Sequence, residues 1–456
     1  MWESMAAPAD GPRSATAAVT RDPTKPELVR AIGRWTLTGL VLNSIIGSGI
    51  FGLPGAIAKL LGPAAPLSYI VGAVAIGVLM AVFAEVSSQF RESGGQYLYA
   101  REALGRFAGI QIGWFFLLVR LTSAGAALNL FVNYLSEFWP AATTPLIRAL
   151  IMGALVAGLA LANYRGVRAG AGVSNFFTII KLASLGLFII VGLLLVKHTT
   201  TAAPAAAPTA GAWTDALIAL VFAFGGFESA LIPAAETKNP RRDTPFALGV
   251  GLAVVAVCYF LIQMVATWAV PDLASAERPL AEAARSFAGK AGAAAMALAA
   301  MLSAYGWLSA TFVAMPRLIY ALAERRDFPR LFAAVHPRFR SPHLAILLWA
   351  VLVLGLAIYG SFIWNAILAG VARLVTYAAT CVALLQLRRK RPQADRWRAP
   401  AGNLLAVIGI VFCAGLAVRM NATHATLMAA VAVIGTANWL FVRSHSPPPT
   451  SEIRAA

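Results

Sequence analysis

Apolar residues in this chain do not alternate with polar ones; they run on in blocks, each about long enough to cross a bilayer as a helix of roughly twenty residues. The blocks fall near residues 35–61, 66–89, 108–136, 145–163, 173–197, 213–235, 244–270, 291–322, 343–360, 362–387, 402–420 and 423–442. The pattern therefore predicts an all-α integral membrane protein with twelve transmembrane helices. Two blocks are interrupted. The first carries Ile45-Ile46-Gly47-Ser48-Gly49-Ile50-Phe51-Gly52-Leu53-Pro54-Gly55, and the sixth carries Phe222-Ala223-Phe224-Gly225-Gly226-Phe227-Glu228-Ser229. Each glycine costs a helix about 1 kcal/mol and proline removes a donor, so backbone groups come free at membrane depth. Lipid cannot satisfy them. Such irregular backbone survives there only when it is buried in protein or lines a wet cavity, which makes both stretches candidate ligand sites.

Composition agrees with the pattern: 59% hydrophobic and 12% charged residues in 456 are far from a soluble fold. Residues 1–33 are polar and rich in Pro and Ala, with no apolar run, and read as a disordered cytosolic tail rather than a signal peptide. A formal net charge of +18 raises the question of nucleic acid, and the twelve-span topology answers it. With both termini on one side, 27 of the 37 Lys and Arg fall on that side and 7 on the other. The excess of positive residues marks the cytosolic face, so both termini are expected in the cytosol and the basicity reflects topology, with no nucleic-acid partner.

Residues 198–212 form a Thr/Ala/Pro-rich external linker. Five blocks precede it, and the next block is again interrupted. Glycine-broken segments opening each of two five-helix units point to inverted repeats with a site between them at the midplane. The chain then divides into the N-tail, a first repeat at 34–197, the linker, a second repeat at 213–387, a basic loop with two extra helices at 388–442, and a C-tail at 443–456.

Gly47-Ser48-Gly49-Ile50-Phe51-Gly52 matches the dinucleotide fingerprint in letters only, because no strand precedes it and the next acidic residue is Glu85. No zinc-protease, nucleophile-elbow or phosphate-loop motif is present, so no enzymatic activity is expected. Cys258, Cys381 and Cys413 lie in apolar blocks without paired or metal-like spacing and read as small hydrophobes. Neither a metal nor a cofactor is expected.

A broken helix offers two complementary ends: free N–H groups at a half-helix N-terminus, which suit a carboxylate, and free carbonyls at a half-helix C-terminus, which suit an ammonium. N–H groups near Ser48, Gly49 and Ile50 fit the first role. Carbonyls near Ile45, Phe222 and Gly225 fit the second, and Gly47, Phe224 and Gly226 of the same two stretches complete the expected substrate site. An α-amino acid is the small ligand that carries both groups, while the plain alternative is that these glycines serve close helix packing.

The stretches "GSGIFGLPG" from Gly47, "EVSSQFRESGGQYLYAR" from Glu85 and "FAFGGFESALIPAAETKNPRRDTPFA" from Phe222 resemble, in order and placement, the amino acid-polyamine-organocation superfamily of transporters. The resemblance covers nearly the whole chain after the N-tail and implies the LeuT-type five-plus-five inverted-repeat fold with broken first and sixth helices. The chain departs at Arg91, where the family commonly has proline, and at "ERRDFP" after the eighth block, where an Asp-Gly pair before the proline is usual.

Four charges lie well inside blocks, away from their ends, where each costs about 2.5 to 3.5 kcal/mol at the bilayer centre unless it is paired or functional. Lys181 resembles a lysine whose ammonium stands in for the structural sodium ion in proton-coupled members, and that resemblance implies a coupling role, against the alternative of a permanently charged strut. Its expected partners are carbonyls at the first break and the hydroxyls of Ser309 or Thr311. Arg120, Arg373 and Glu228 suggest a buried ion pair of Glu228 with one arginine; the sharper readings are an arginine that binds a second substrate carboxylate, or a Glu228 that titrates with transport. Phe116, Phe222, Phe224 and Phe312 are aromatics that either cap a substrate or pack.

The whole predicts a carrier for amino acids in the inner or plasma membrane, working by alternating access as a proton-coupled symporter, with amino acid, protons and membrane lipid as partners. The alternatives are an amino acid/amine exchanger for cationic or polyamine-like substrates, and a non-transporting membrane sensor of amino acids, which the short tails disfavour.

Overall fold

The structure, a computed structural model, describes residues 32–90, 94–165, 171–196, 207–232, 237–392 and 397–444, with backbone alone at 171–178. Nearly all of the N-tail, most of the 198–212 linker, most of the C-tail, and Arg91 lie outside the described residues.

Apolar blocks become helices because only a helix satisfies its own backbone in lipid. In chain order these are α1 (Arg34–Ile45), α2 (Ser48–Leu61), α3 (Ala65–Ser87), α4 (Gly95–Leu104), α5 (Arg106–Leu135), α6 (Pro145–Tyr164), α7 (Ala171–Leu195), α8 (Ala210–Ala223), α9 (Phe227–Ala230), α10 (Pro240–Ala269), α11 (Pro279–Glu324), α12 (His343–Tyr359), α13 (Phe362–Lys390), α14 (Gly402–Ala417) and α15 (Ala422–Ser444). No strand occurs among the described residues; one isolated parallel bridge joins Ile32 to Thr237. Among the described residues, eight helical stretches are long and apolar enough to cross a membrane, and Ile179–Leu195, His343–Tyr359 and Gly402–Ala417 are apolar but shorter. In α11, Gly289 takes φ +64°, ψ −159°, so an amphipathic first part is set off from the spanning part that follows.

Burial separates the centre from the rim. The apolar stretch of α5 is 89% buried and packs against α4, α11, α12, α13 and α15, whereas that of α6 is 17% buried. Leu146, Leu150, Leu187, Leu194, Val351 and Val411 turn their side chains outward, a girdle that suits lipid and would aggregate in water.

Both interruptions are real breaks in the helices. α1 packs on α9 and α2 on α8, so the two broken segments run in opposite directions past each other. Their ends meet in the interior, enclosed by α5, α10, α11 and α13.

Candidate functional site

At the first break, Ile46 N–H still reaches Leu42 O at 3.0 Å, then Gly47 leaves the helix at φ −125°, ψ −146° and α2 restarts at Ser48. The carbonyls freed at the end of α1 are met by side chains from other helices. Lys181 Nζ donates to Asn43 O at 2.8 Å and to Ile46 O at 2.7 Å, and the residue is buried. An ammonium here meets the negative end of the α1 dipole as well as its unpaired carbonyls. Neither Ser309 nor Thr311 is a partner of Lys181 among the described residues; the Thr311 hydroxyl donates to Trp307 O at 2.6 Å. Tyr259 Oη lies 3.2 Å from Ile45 O and 3.4 Å from Ala223 O, within reach of the last carbonyls of both α1 and α8.

At the second break Gly226 takes φ +118°, which other residues rarely adopt, and a Cβ there would strike Ser44 O of α1. Gly49 is held small in the same way, since its Cβ would lie 2.9 Å from Ala223 Cα. The two breaks therefore touch backbone to backbone. Glu228 folds back over the turn: its Oε2 accepts Gly226 N–H at 2.8 Å and Tyr377 Oη at 3.2 Å. Its Oε1 accepts Arg120 Nη2 from α5 at 3.3 Å and Arg373 Nε from α13 at 3.4 Å. Arg120 also donates to Ser229 Oγ. Glu228 thus pairs with both arginines, where the sequence suggested one. All three charged side chains are at least 95% buried.

A cavity of ≈ 20 Å³, about the space of one water, lies between the breaks. It is lined by Ser44, Ile45, Gly47, Ser48, Gly49, Arg120, Ser123, Phe222, Ala223, Gly225, Gly226, Trp307 and Arg373. Among the described residues, buried Arg120 Nε, Arg373 Nη1 and Ser123 Oγ find no hydrogen-bond partner. The Arg120 guanidinium stacks 4.9 Å from the Phe116 ring and that of Arg373 5.7 Å from Phe222. Ile50 and Phe224 are fully buried but do not line the cavity; Phe224 packs on Tyr69 and Tyr259. Phe312 lies against Trp349, in packing rather than at the cavity. Tyr259, Tyr377, Trp307 and Ser123 were missed in the sequence, where a hydroxyl or indole in an apolar block carries no distinguishing signal.

The two sides of this cavity differ. Toward the C-terminal end of α2 opens a vestibule of ≈ 680 Å³, lined among others by Gly52, Lys59, Asp215, Phe362, Arg419 and His424. Phe362 of the vestibule and Phe222 of the cavity meet edge to face with centroids 6.2 Å apart, so aromatic rings separate the two spaces. The opposite side is closed by charge. Asp327, fully buried, takes Tyr97 and Arg101 from α4 and Arg106 Nε from α5, the last at 2.8 Å. Burial, then the hydrogen bond and charge of Asp327, push the Tyr97 phenol up to about 12, so it remains a donor at physiological pH. Nearby, Arg388 grips Glu85 through two bonds of 2.8 and 2.7 Å.

A helical bundle girdled by outward apolar side chains, with two broken segments meeting at a buried, charged cavity, defines a multi-pass membrane protein. The chain belongs to the amino acid permease family, whose pattern it matches over residues 32–437. It is similar to the methylthioribose transporter of Bacillus subtilis (strain 168), 26% identical over 437 residues that cover 92% of this chain and 95% of that one. The branched-chain amino acid permease BcaP of the same organism is 25% identical over 442 residues, covering 92% and 94% of the two chains. The serine/threonine exchanger SteT, also from that organism, is 28% identical over 334 residues, covering 70% and 74%. The protein is accordingly a membrane transporter and not an enzyme.

Proposed function

We propose that the chain is a secondary active amino acid transporter of the LeuT-type architecture, working by alternating access in the cell membrane with both termini cytosolic. The observation that carries this reading is the antiparallel meeting of the two broken segments at a cavity with a vestibule on one side and an ion-pair layer on the other. Counting α1 with α2 and α8 with α9 as single crossings supports twelve spans, the two repeats ending with α7 and α13 and leaving α14 and α15 outside them. On that reading the vestibule faces outward and the ion-pair layer faces the cytosol.

The ends of an amino acid have counterparts here: first-turn N–H groups of α2 at Ser48, Gly49 and Ile50 for the carboxylate, and carbonyls of the second break for the ammonium. A cavity of ≈ 20 Å³ has no room for such a ligand, so the breaks separate to admit it. Lys181 and Glu228 are the candidate coupling groups, because each ties a broken segment to a helix outside it. The relatives' substrates include a sugar derivative as well as amino acids, so the assignment rests on the site rather than on any one relative. Exchange is the second reading, favoured by the similarity to the serine/threonine exchanger. Uptake of labelled amino acids into proteoliposomes decides between them: an inward proton gradient should drive accumulation, whereas an exchanger needs amino acid inside and ignores the gradient. No flux of any amino acid in either format would overturn the reading.

A further inference from the structure

Among the described residues, the charged side chains around the two breaks are Arg120, Lys181, Arg373 and Glu228, each at most 5% exposed: three cations against one carboxylate. The single carboxylate is already shared between both arginines, through one oxygen, at 3.3 and 3.4 Å. Buried charge left uncompensated is costly, and a zwitterionic ligand, whose own charges cancel, would not redress the imbalance. Even with Lys181 neutral, one positive charge remains over. The cationic donors are not used up either: Arg120 Nε and Arg373 Nη1 are both buried and both without a partner, on residues that line the cavity. Ser123 Oγ, unpartnered too, lies in the same lining.

Resting on the transporter reading above, we infer that the preferred substrate is an acidic amino acid, whose side-chain carboxylate is received by Arg120 and Arg373. Its α-carboxylate takes the first turn of α2 and its ammonium the carbonyls of the second break. The side-chain carboxylate then reaches across to α5 and α13, and its negative charge offsets the positive charge that the two arginines leave over against Glu228. A guanidinium presents parallel donors that fit a carboxylate, whereas an amide offers one acceptor and two hydrogens that face donors already there. Lysine, arginine and polyamines would add positive charge to a positive site and are disfavoured.

The test compares aspartate and glutamate with asparagine and glutamine, which match them in shape, by competition binding on the full-length purified protein in lipid nanodiscs. The acids should bind about 10- to 100-fold more tightly than their amides, as charged hydrogen bonds of this kind allow. In Arg120→Gln and Arg373→Gln the acid-over-amide ratio should fall toward one. A purely structural role for the arginines would weaken acids and amides alike and leave the ratio unchanged, which overturns the inference. Should either variant fail to fold, the wild-type ratio still decides: amides or neutral amino acids binding as well as the acids overturn the acidic class while leaving the transporter reading intact. If no amino acid binds at all, that reading fails with it.

Discussion

Lys181 makes its contacts where they matter to α1, at the last turn before the break, and its two hydrogen bonds to carbonyls are charge-assisted only while the amine carries its extra proton. If the charged lysine holds α1 and the neutral one releases it, proton binding and helix position are linked by differential contacts. Lys181→Met keeps the length and removes the charge, so proteoliposome uptake under an imposed proton gradient should fall to the level seen without one. Wild-type accumulation in that variant would make the lysine a strut. That a charge within an apolar block calls for a partner was legible in the sequence; the partners were legible only by kind. The carbonyls of the first break were expected and are there, whereas the Ser309 and Thr311 hydroxyls are not among them. Glu228, Arg120 and Arg373 were singled out for the same reason. Their three-way arrangement was not readable, because residues about 110 and 145 positions apart come together only through helix packing.

The breaks themselves were the most readable elements, since glycine, serine and proline clusters within apolar runs leave a helix few ways to continue. α4 was not read as an element at all: it is too polar and too short to stand out, and it is held by what it packs on. Its anchor, Asp327, lies in the "ERRDFP" stretch, which the sequence showed only as a departure from the family pattern. The structure gives that departure an occupation, since one buried carboxylate gathers Tyr97, Arg101 and Arg106 from two elements. Asp327→Asn should loosen this face. Arg101 and Arg106 are each about a third exposed, which limits the loss to about 1 to 3 kcal/mol. Hydrogen exchange of the α4 amides should accelerate by about 5- to 150-fold, while amides of α6, far from the network, keep their rate. Unchanged α4 exchange would remove Asp327 from the closure of this side.

At the scale of the whole molecule, the distribution of Lys and Arg proposes an orientation, with both termini in the cytosol. That orientation makes a testable statement about opposite faces: a membrane-impermeant thiol reagent applied to intact cells should label Lys59→Cys in the vestibule, and should reach Arg389→Cys only after permeabilisation. The reverse pattern would invert the topology and with it the direction in which the vestibule opens. The position of the α1–α2 break has a mechanical consequence as well. α1 is 12 residues long, which makes it a rod of about 18 Å. Were it to pivot at Gly47, where the helix is interrupted, a swing of about 20° would carry its far tip by about 6 Å. Lys181 and Tyr259 grip the rod beside the pivot, where leverage is least. The tip is held more lightly, by the Ile32–Thr237 bridge and by Phe246, which meets Trp35 edge to face and lies under the Arg34 guanidinium. On the proposed coupling role of Lys181, a change of one proton at the pivot would be geared up to a displacement wide enough to pass a small molecule, provided that the catch at the tip gives way first.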